Sequence, residues 1–585
     1  MTALALKKQF SEYEIDQQVS IPDKSSHEQI DEELQRIYNK AKLFTRLTIN
    51  QRIALVEGIQ QGFLDVAQAM VKAECEYKGL SLDAPAEAEA WALGPTFIIR
   101  QLRLIKESLQ ALKDSGNTKI GKVGRTIDKR LSVNVFPANA IDSILFKDVT
   151  IDVHMQSDVT EDKLESQRAK FYKQPDHDGQ VVLILGAGNI AAIPVMDVLT
   201  KMFNEGSVCI LKLNPVNAYT GKFIEQAFSS AIEMGFLAIV YGGINEGQYL
   251  TQHDHVDEVH ITGSDKAYNN IVWGPEGSEQ AERIARNNPV LTKKINAELG
   301  NVTPVIVVPG PYTDKELAFQ TEEITSAFTM NASFLCCVPV SLVTSDSWDQ
   351  RDDFLNQMER SISSIPTRKA YYPGASDRWH ALVDNRDNVT IMGKEEGENM
   401  PWALMKGLSP NADEDIYSSE PFCPVLSETS LNATDTIEFL DKAVEFVNNK
   451  LWGTLTANLI VHPESMKNPQ IAEAVERAIT RLKYGVVTIN GFNGMAFASA
   501  TAPWGAHQSS TPTDIQSGSG WVHNSVMLEG IEKAVMRWPI TSFPRPAWHP
   551  SHKTSHKLMR KLTALEKDAS WTKVPGVVFT AMKGG

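Results

Sequence analysis

Cysteine is scarce in this chain of 585 residues: there are five, and none forms a C-x-x-C pair. Disulfide frameworks and cysteine metal sites both need repeated spacings, so the pattern predicts neither. Basic residues are also in deficit, with 57 Lys and Arg against 72 Asp and Glu and a net charge of −15. Because nucleic-acid binders concentrate Lys and Arg on one face, we expect no nucleic-acid partner and a small ligand instead.

Long apolar runs are missing as well. No window approaches the roughly 18 consecutive apolar residues that a membrane span requires. The opening segment, MTALALKKQFSEYEIDQQ, lacks the apolar stretch and the small-residue cleavage site of a secretory signal. A composition with 42% hydrophobic and 22% charged residues is typical of a globular protein. We therefore expect a cytoplasmic protein with no membrane span.

Hydrophobic periodicity divides the chain into successive parts. Helical spacing dominates the first hundred residues, with Ser25 and Glu28 as a predicted capping box. Short β-branched runs then predict an extended arm or hairpin, and strands that alternate with helices predict two α/β units with parallel sheets. The predicted boundaries are a helical lead-in at 1–119, the arm at 120–178, the first α/β unit at 179–298, the second at 299–520, and a C-terminal strand with a surface tail at 521–585.

Two turns are candidates for phosphate binding. The glycine-rich turn Gly186–Ala191 follows the buried run VVLIL, where glycines let the backbone approach a pyrophosphate. Its third glycine is replaced by alanine and no acid follows the next strand, so the ordinary dinucleotide interpretation is weak. The second turn, Thr262-Gly263-Ser264, precedes a predicted helix, and Ser264 there is equally well explained as a simple N-cap.

Two further segments carry reactive side chains. Cys336 and Cys337 lie in NASFLCCVPVSLV, between a predicted helix and a predicted strand. Taken alone, such thiols usually pack as small hydrophobic side chains, whereas a nucleophile needs a polar setting and a nearby base. Glu298 in INAELGN precedes a buried strand, where partial burial raises a carboxyl pKa and suits a general base, the alternative being a surface carboxylate.

Together these segments resemble the aldehyde dehydrogenase superfamily, over most of the chain from about Arg52 to about Pro539. AELGN is similar to the family's E-L-G-G segment, and NASFLC is similar to its N-x-G-Q-x-C segment. SEPFCPV is similar to the E-x-F-G-P-V motif, ITGS to the F-T-G-S turn, and GAGN lies where the family has P-W-N. The order of five motifs carries the resemblance. It implies an α/β fold with two parallel-sheet Rossmann-type domains, for cofactor binding and catalysis, plus a small oligomerisation arm.

The resemblance also implies roles for individual residues. Cys336 becomes the nucleophile that attacks the aldehyde, Glu298 the base that activates water, and Asn189 an oxyanion donor. The residues implied in cofactor binding are Lys212, Gly263, Ser264, Glu420 and Phe422. For Cys337 and Cys423 we keep the interpretation as core-filling thiols. The implied activity is oxidation of an aldehyde to a carboxylic acid with NAD or NADP as cofactor, by a homodimer or homotetramer.

Several positions depart from the family pattern. Ser333 and Phe334 stand where Gly and Gln are usual, so we expect a different loop at the nucleophile, and Asn301 replaces the second Gly after Glu298. Pro215 stands where NAD-preferring members often carry an acid, so use of NADP is permitted. Phe334 and Leu335 suggest an apolar mouth and hence a medium-chain or aromatic aldehyde. Extra residues at 121–178, at 265–297 and after Ile540 have no assigned function.

Two alternatives to hydrolytic oxidation remain open. In one, CoA rather than water accepts the acyl group, or an acyl thioester is reduced; Glu298 argues against this because CoA-dependent relatives commonly lack that acid. In the other, the chain is a silent binding protein with the same fold. The tail also holds His549, His552 and His556, which form either a metal cluster or, as we expect, part of an exposed, solvated tail.

Overall fold

The computed structural model describes residues 21–174 and 176–585, so the opening segment that bears on export lies outside the described residues. Strands are numbered in chain order. They are β1 Val123–Arg125, β2 Leu131–Phe136, β3 Thr150–Met155, β4 Val181–Leu185, β5 Val208–Lys212, β6 Leu237–Val240, β7 Glu258–Thr262, β8 Lys294–Glu298, β9 Thr303–Val307, β10 Pro339–Ser345, β11 Arg368–Lys369, β12 Val389–Met392, β13 Asn399–Met400, β14 Trp402–Met405, β15 Val425–Leu431, β16 Thr456–Ile460, β17 Val486–Ile489, β18 Pro503–Trp504, β19 Gly518–Ser519, β20 Val522–His523 and β21 Ile531–Arg537.

Helices connect most of these strands. The α-helices are His27–Thr45, Ile49–Lys78, Glu87–Trp91, Phe97–Ser115, Ala140–Leu145, Glu161–Gln167, Lys170–Lys173, Ala192–Phe203, Gly221–Ala227, Ser229–Glu233, Ile244–Gln252, Asp265–Trp273, Ser278–Ala285, Asp314–Thr329, Arg351–Ser363, Ala375–Val383, Asp415–Ser418, Thr436–Asn449, Pro469–Arg481, Gly494–Ser499, Ser555–Glu566 and Val574–Gly584. Among the described residues, none of these helices is both long enough and apolar enough to cross a membrane.

The first α/β unit contains a six-stranded sheet in the order β19-β8-β7-β4-β5-β6. The strands β8, β7, β4, β5 and β6 run parallel, and β19 closes one edge antiparallel to β8. Strands β4, β5 and β7 are buried on both faces, which explains their continuous apolar runs. In such sheets, loops at the carboxyl ends of the strands form the ligand-binding edge.

The second sheet has eleven strands in the order β1-β2-β3-β21-β17-β16-β9-β10-β15-β14-β12. Its central strands from β21 to β14 are parallel, so the second α/β unit predicted from the sequence is present. The predicted arm contributes β1, β2 and β3, which pair antiparallel and extend this sheet through β21 of the same chain. Its part in oligomerisation stays a prediction.

The first helix of the lead-in has its capping box one residue later than predicted. Ser26, not Ser25, is the N-cap: its hydroxyl accepts a hydrogen bond from the Gln29 N–H at 3.2 Å, and the Gln29 side chain accepts one from the Ser26 N–H. Gln29 therefore replaces the predicted Glu28, since a capping box needs only an acceptor three residues into the helix. The apolar face predicted for this helix is buried as expected, at Ile30, Leu34, Ile37 and Ala41.

The C-terminal tail is not exposed, so that expectation was wrong. His549, His552 and His556 are buried, and two helices follow or include them. Within the described part of the chain, no three His, Cys, Asp or Glu side chains are grouped to hold a metal ion. The polar, histidine-containing sequence predicted exposure, but the segment is buried through the apolar side chains of its two helices and through the ion pairs of His549 with Glu322 and Glu323.

A cluster of charges holds the start of this tail on helix Asp314–Thr329. His549 Nε2 contacts the Glu323 carboxylate, and His549 Nδ1 lies 3.5 Å from Glu322 Oε2. Arg545 Nη1 donates to Glu322 Oε2 at 2.7 Å, and Trp548 Nε1 donates to Glu323 at 3.1 Å. Burial lowers the pKa of His549, but the hydrogen bonds to Glu322 and Glu323 outweigh it and raise the pKa to about 9.

Replacing this histidine tests the cluster through stability. Because the folded-state pKa of about 9 lies above the ordinary value of 6.5, protonated His549 stabilises the fold fully below pH 6.5, and this contribution is lost as the pH rises through 9. A shift of this size corresponds to about 3 kcal/mol. We expect His549→Gln to lower the melting temperature most at pH 6 and little above pH 9, measured by thermal unfolding. A pH-independent difference, or an equal loss in the exposed control His27→Gln, would contradict this.

Candidate functional site

The candidate residues meet between the two sheets. Lys212 ends β5, Thr262 ends β7 and Glu298 ends β8, so all three lie at the carboxyl edge of the first sheet. Cys336 precedes β10 and Glu420 precedes β15, at the amino edge of the second sheet. Because the carboxyl edge of one sheet faces the amino edge of the other, Glu298 contacts Cys336, and Glu420 contacts the segment that follows Glu298.

Cys336 and Glu298 are in direct contact. The Cys336 Sγ donates to Glu298 Oε1 across 3.7 Å, and the Trp504 Nε1–H donates to the same oxygen at 2.5 Å. Glu298 is 2% exposed, and no described residue forms a hydrogen bond with its Oε2. The alternative interpretation of Glu298 as a surface carboxylate is therefore wrong. Its charge is desolvated, and its one engaged oxygen is shared between an indole and a thiol.

The two groups are both held in their neutral forms by their surroundings. Burial, with a smaller contribution from the negative charge of Asp197, raises the pKa of Glu298 to about 8. The contact with Cys337, followed by burial, raises the pKa of Cys336 well above its usual range. A resting thiol beside a weakly acidic carboxyl group is an arrangement in which ionised Glu298 can take the thiol proton.

Asp197 belongs to a buried polar cluster behind Glu298. The Thr262 hydroxyl donates to Asp197 Oδ2 at 3.0 Å, and His260 Nε2 lies 3.4 Å from the same oxygen. His523 is also buried, where its ring packs edge-on against Phe497, and burial lowers its pKa to about 4. The cluster places a negative charge close to Glu298, and of its members only Thr262 lay in a segment that the sequence pattern marked.

Asn189 is fixed by four hydrogen bonds. Its side-chain Nδ2 donates to the Phe334 carbonyl oxygen at 3.0 Å. Its own carbonyl oxygen accepts from Lys78 Nζ at 3.2 Å, from Asn331 Nδ2 at 3.1 Å and from the Tyr371 hydroxyl at 2.8 Å. Lys78, Asn331 and Tyr371 thus position a candidate oxyanion donor. Only Asn331 lay in a segment that sequence analysis singled out.

The loop before the nucleophile has an unusual backbone. Asn331, Ala332 and Ser333 have φ values of 53°, 55° and 68°, three consecutive left-handed residues without glycine. The Ser333 hydroxyl donates to the Phe328 carbonyl oxygen at 2.7 Å, which helps to hold the loop. Phe334 is fully buried, with its ring 5.0 Å from Tyr371 and 5.6 Å from Phe422.

The burial of Phe334 contradicts part of the prediction that Phe334 and Leu335 form an apolar mouth. Phe334 packs into an aromatic cluster with Tyr371, Tyr372 and Phe422 rather than lining the cavity beside Cys336. Leu335 does line that cavity. Cys337 and Cys423 are buried in the apolar core, as predicted for core-filling thiols, and Cys337 also lines the cavity.

Lys212 and Ser264, which the resemblance implies in cofactor binding, lie at the carboxyl edge of the first sheet. Lys212 is 8% exposed, and no described residue accepts a hydrogen bond from its Nζ. Burial, partly opposed by Glu246, lowers the pKa of Lys212 to about 8. Ser264 is exposed and caps helix Asp265–Trp273, its hydroxyl accepting from the Ala267 N–H at 3.2 Å. The Gly263 N–H donates to the Glu298 carbonyl oxygen, so this glycine has no free N–H to offer a ligand.

Glu420 and Phe422 face this edge from the second sheet. Glu420 Oε1 accepts from the Asn301 N–H at 3.2 Å, and its carboxylate lies so close to Gly300 that a side chain there would collide with it. Burial raises the pKa of Glu420 to about 8, although the Asn301 N–H opposes the shift. Arg378 fixes the loop by donating to the carbonyl oxygens of Pro421 and Phe422, both at 2.9 Å.

Asn301, which departs from the family pattern, has a structural role here. Its side-chain Nδ2 donates to the Thr303 hydroxyl and to the Thr456 carbonyl oxygen, both at 2.9 Å. A second glycine at this position would remove both of these hydrogen bonds. The asparagine therefore ties the end of the Glu298 segment to strands β9 and β16.

Among sequence families, the aldehyde dehydrogenase family matches residues 153–524. A curated relative, N-succinylglutamate 5-semialdehyde dehydrogenase of Novosphingobium aromaticivorans, is 24% identical over 438 residues, which are 71% of this chain and 83% of that protein. Solved structures share the fold at low identity. The NADP-dependent glyceraldehyde-3-phosphate dehydrogenase from Bacillus halodurans in complex with NADP is 15% identical, with a TM-score of 0.57 over 87% of this chain and 91% of that chain.

A second solved structure also shares the fold of this chain. A variant of aldehyde dehydrogenase C from Pseudomonas syringae in complex with NAD+ and octanal is 15% identical, with a TM-score of 0.57 over 87% of this chain and 89% of that chain. These matches confirm the fold class predicted from the sequence. Because the family model covers well over half of its length, this chain belongs to the aldehyde dehydrogenase family, oxidoreductases that act on aldehydes.

Proposed function

We propose that this protein oxidises an aldehyde to a carboxylic acid through a thioester on Cys336, with NAD or NADP as cofactor. The observation that carries the proposal is the 3.7 Å contact between the Cys336 Sγ and a buried Glu298 carboxyl group. A nucleophile that lines a cavity and contacts a buried base is what covalent acyl chemistry requires.

The first half of the reaction forms the thioester. Glu298 Oε1 takes the proton from the Cys336 Sγ, and the sulfur attacks the aldehyde carbon to form a thiohemiacetal. Asn189 Nδ2 and the backbone N–H of Cys336 donate to the oxyanion. A nicotinamide cofactor held by Lys212, Ser264 and Glu420 would supply the acceptor for the hydride that leaves this carbon. The product on the enzyme is a thioester between the substrate acyl group and Cys336.

The second half releases the acid. The proton taken from sulfur must first leave Glu298 for solvent. Ionised Glu298 then takes a proton from water, and the oxygen attacks the thioester carbonyl carbon. The carbon–sulfur bond breaks, the sulfur is reprotonated and the carboxylic acid departs. Because Glu298 acts as an acceptor in both halves, its ionisation controls the rate.

The residues present fit a nicotinamide cofactor. The Lys212 side chain is largely buried, and its ammonium group, which has no hydrogen-bond acceptor among the described residues, is free to donate to ribose hydroxyls. Ser264 begins a helix of nine residues at the carboxyl edge of the parallel sheet, where a pyrophosphate is favoured. Glu420 offers its second carboxylate oxygen to a ribose, with Phe422 beside it. The solved relatives that hold NADP and NAD+ support either cofactor.

A panel of aldehydes with and without CoA tests the reaction. We expect NAD or NADP reduction without CoA, and Cys336→Ala to lose at least about 10³-fold in kcat because the nucleophile is gone. Cys209→Ala, which removes a thiol buried in strand β5, is the matched control, and it should retain turnover. Turnover that requires CoA would move the assignment to an acylating enzyme, while cofactor binding without turnover would favour a silent protein.

The pH dependence of kcat/KM tests the base. Since ionised Glu298 is the acceptor, we expect kcat/KM to rise with pH through the pKa of about 8. In Asp197→Asn the midpoint should shift to lower pH because a neighbouring negative charge is removed. In Glu298→Gln the rise should vanish together with most of the activity. An unchanged midpoint in Asp197→Asn, with thermal unfolding showing an intact fold, would contradict the assignment.

Cofactor titration tests Lys212. We expect Lys212→Ala to weaken NAD or NADP binding roughly tenfold, corresponding to about 1.4 kcal/mol for a lost charge-assisted contact. At saturating cofactor, kcat should change little, since Lys212 is proposed to bind the cofactor and has no role at the reacting sulfur. Lys119→Ala, which removes an exposed lysine elsewhere, is the control. Equal affinities for all three proteins would exclude Lys212 from the cofactor site.

A further inference from the structure

A cavity of about 650 Å³ opens beside the nucleophile. Cys336, Asn189 and Trp504 are part of its wall. The wall is otherwise mostly apolar and aromatic, with Phe97, Phe146, Phe497, Met330, Met536 and Trp538 among its members. This volume lies within the range of sites that hold small organic molecules, and it is far more than an aldehyde group alone needs.

The C-terminal segment forms a large part of this wall. Helix Ser555–Glu566 contributes Leu558, Met559 and Leu562, and helix Val574–Gly584 contributes Val577 and Ala581. No function was predicted for this segment from the sequence. Here it lies over the same cavity that exposes the nucleophile.

The segment is firmly attached. Glu566 receives hydrogen bonds from Arg100 Nη1 at 2.8 Å and from Arg103 Nη2 at 2.6 Å, and all three residues are buried. The Thr563 and Thr96 hydroxyl groups share a hydrogen bond of 2.7 Å. A wall held in this way keeps a defined shape and limits what fits beneath it.

The charged residues in the wall already have partners. Arg100 pairs with Asp142 and Glu566, Arg368 pairs with Glu89, and Arg545 pairs with Glu322. His549 is held by Glu322 and Glu323. Lys147 and Asp148 also line the cavity but are exposed to solvent. Within the described wall, no buried cation is left to receive a carboxylate or phosphate on a substrate, and burying such a group unpaired is costly.

From this wall we infer that the substrate is an aldehyde with a long, uncharged hydrocarbon chain, and that the C-terminal segment 541–585 determines the chain length accepted. The inference rests on the proposed function for the identity of the reacting group. Its binding component stands on the cavity alone, since apolar surface and paired charges select an uncharged hydrocarbon whatever chemistry follows.

Binding of unreactive straight-chain alcohols to the full-length protein tests this without turnover. Trp504, Trp538 and Trp548 line the cavity, so their fluorescence reports occupancy. From 1-butanol to 1-dodecanol we expect Kd to fall by roughly fourfold for each added methylene until the cavity is filled. 12-Hydroxydodecanoate, which carries a carboxylate on the same chain, should bind at least tenfold more weakly than 1-dodecanol. A Kd that does not depend on chain length, or a preference for the carboxylate, would overturn the inference.

Two neighbouring residues offer a matched pair of variants. Ala581 lines the cavity, whereas Met582 is 52% exposed on the same helix. We expect Ala581→Trp to weaken 1-dodecanol binding at least tenfold and to leave 1-butanol binding unchanged, while Met582→Trp alters neither. If Ala581→Trp does not fold, Leu562→Ala provides the converse test, since enlarging the cavity should shift the preference toward longer chains. Equal behaviour of the lining and exposed variants would contradict a role for this segment.

Measuring turnover with straight-chain aldehydes in parallel separates the two proposals. Length-dependent alcohol binding without any NAD or NADP reduction would reject the proposed function and leave the binding cavity in place. Aldehyde turnover combined with alcohol binding that ignores chain length would reject the inference and leave the proposed function. If both proposals hold, kcat/KM for aldehydes rises with chain length in parallel with alcohol affinity, and Ala581→Trp flattens both.

Discussion

The contact between Cys336 and Glu298 is the constraint on which the rest of the site depends. A carboxyl group that is 2% exposed loses the solvation of its charge, and the structure provides only one indole N–H and one thiol in return. The group is therefore a much weaker acid than an exposed glutamate, which makes it a stronger base near neutral pH. Asp197 shifts the pKa of Glu298 in the same direction by adding a negative charge nearby.

Holding that pair in place requires rigid support from both sheets. One side is the end of β8, where Asn301 ties the chain to the second sheet. On the other side, the carbonyl oxygen of Asn189 accepts three hydrogen bonds. One of the three donors, Lys78, is itself paired with buried Glu74 at 2.6 Å. Because each of these polar groups is buried, losing one partner leaves another unpaired, which stabilises a single arrangement over looser alternatives.

The C-terminal segment ties the catalytic region to the outer wall of the cavity. Glu322 and Glu323 lie on the helix that leads into the nucleophile loop, and they hold the start of the tail through Arg545, Trp548 and His549. Glu566 anchors the next helix to the lead-in helix Phe97–Ser115. Three parts of the chain that are distant in sequence therefore enclose one apolar space.

The sequence by itself determined the elements that local patterns encode. Continuous apolar runs placed the buried strand β4 and its neighbours, and helical spacing placed the buried face of the first helix, since burial on one or two faces imposes a period. The order of five short motifs indicated the family and the candidate residues, because each motif is contiguous in the chain. Even there the capping box was displaced by one residue, since Ser25 and Ser26 offer the same hydroxyl.

Only the tertiary structure decided which distant residues meet. Trp504 and Glu298 are 206 positions apart, and Lys78 and Asn331 are 253 positions apart, so no periodicity can reveal either contact. Phe334 was assigned to the mouth from its place beside Cys336, but a left-handed turn over Asn331–Ser333 points it into an aromatic cluster instead. The polar tail was assigned to solvent, yet it is buried because its apolar side chains pack into a core cluster and His549 pairs with acids on another helix. Local sequence records the preference of a side chain for water or for the core, whereas the pairing that makes a buried charge tolerable exists only in the folded chain.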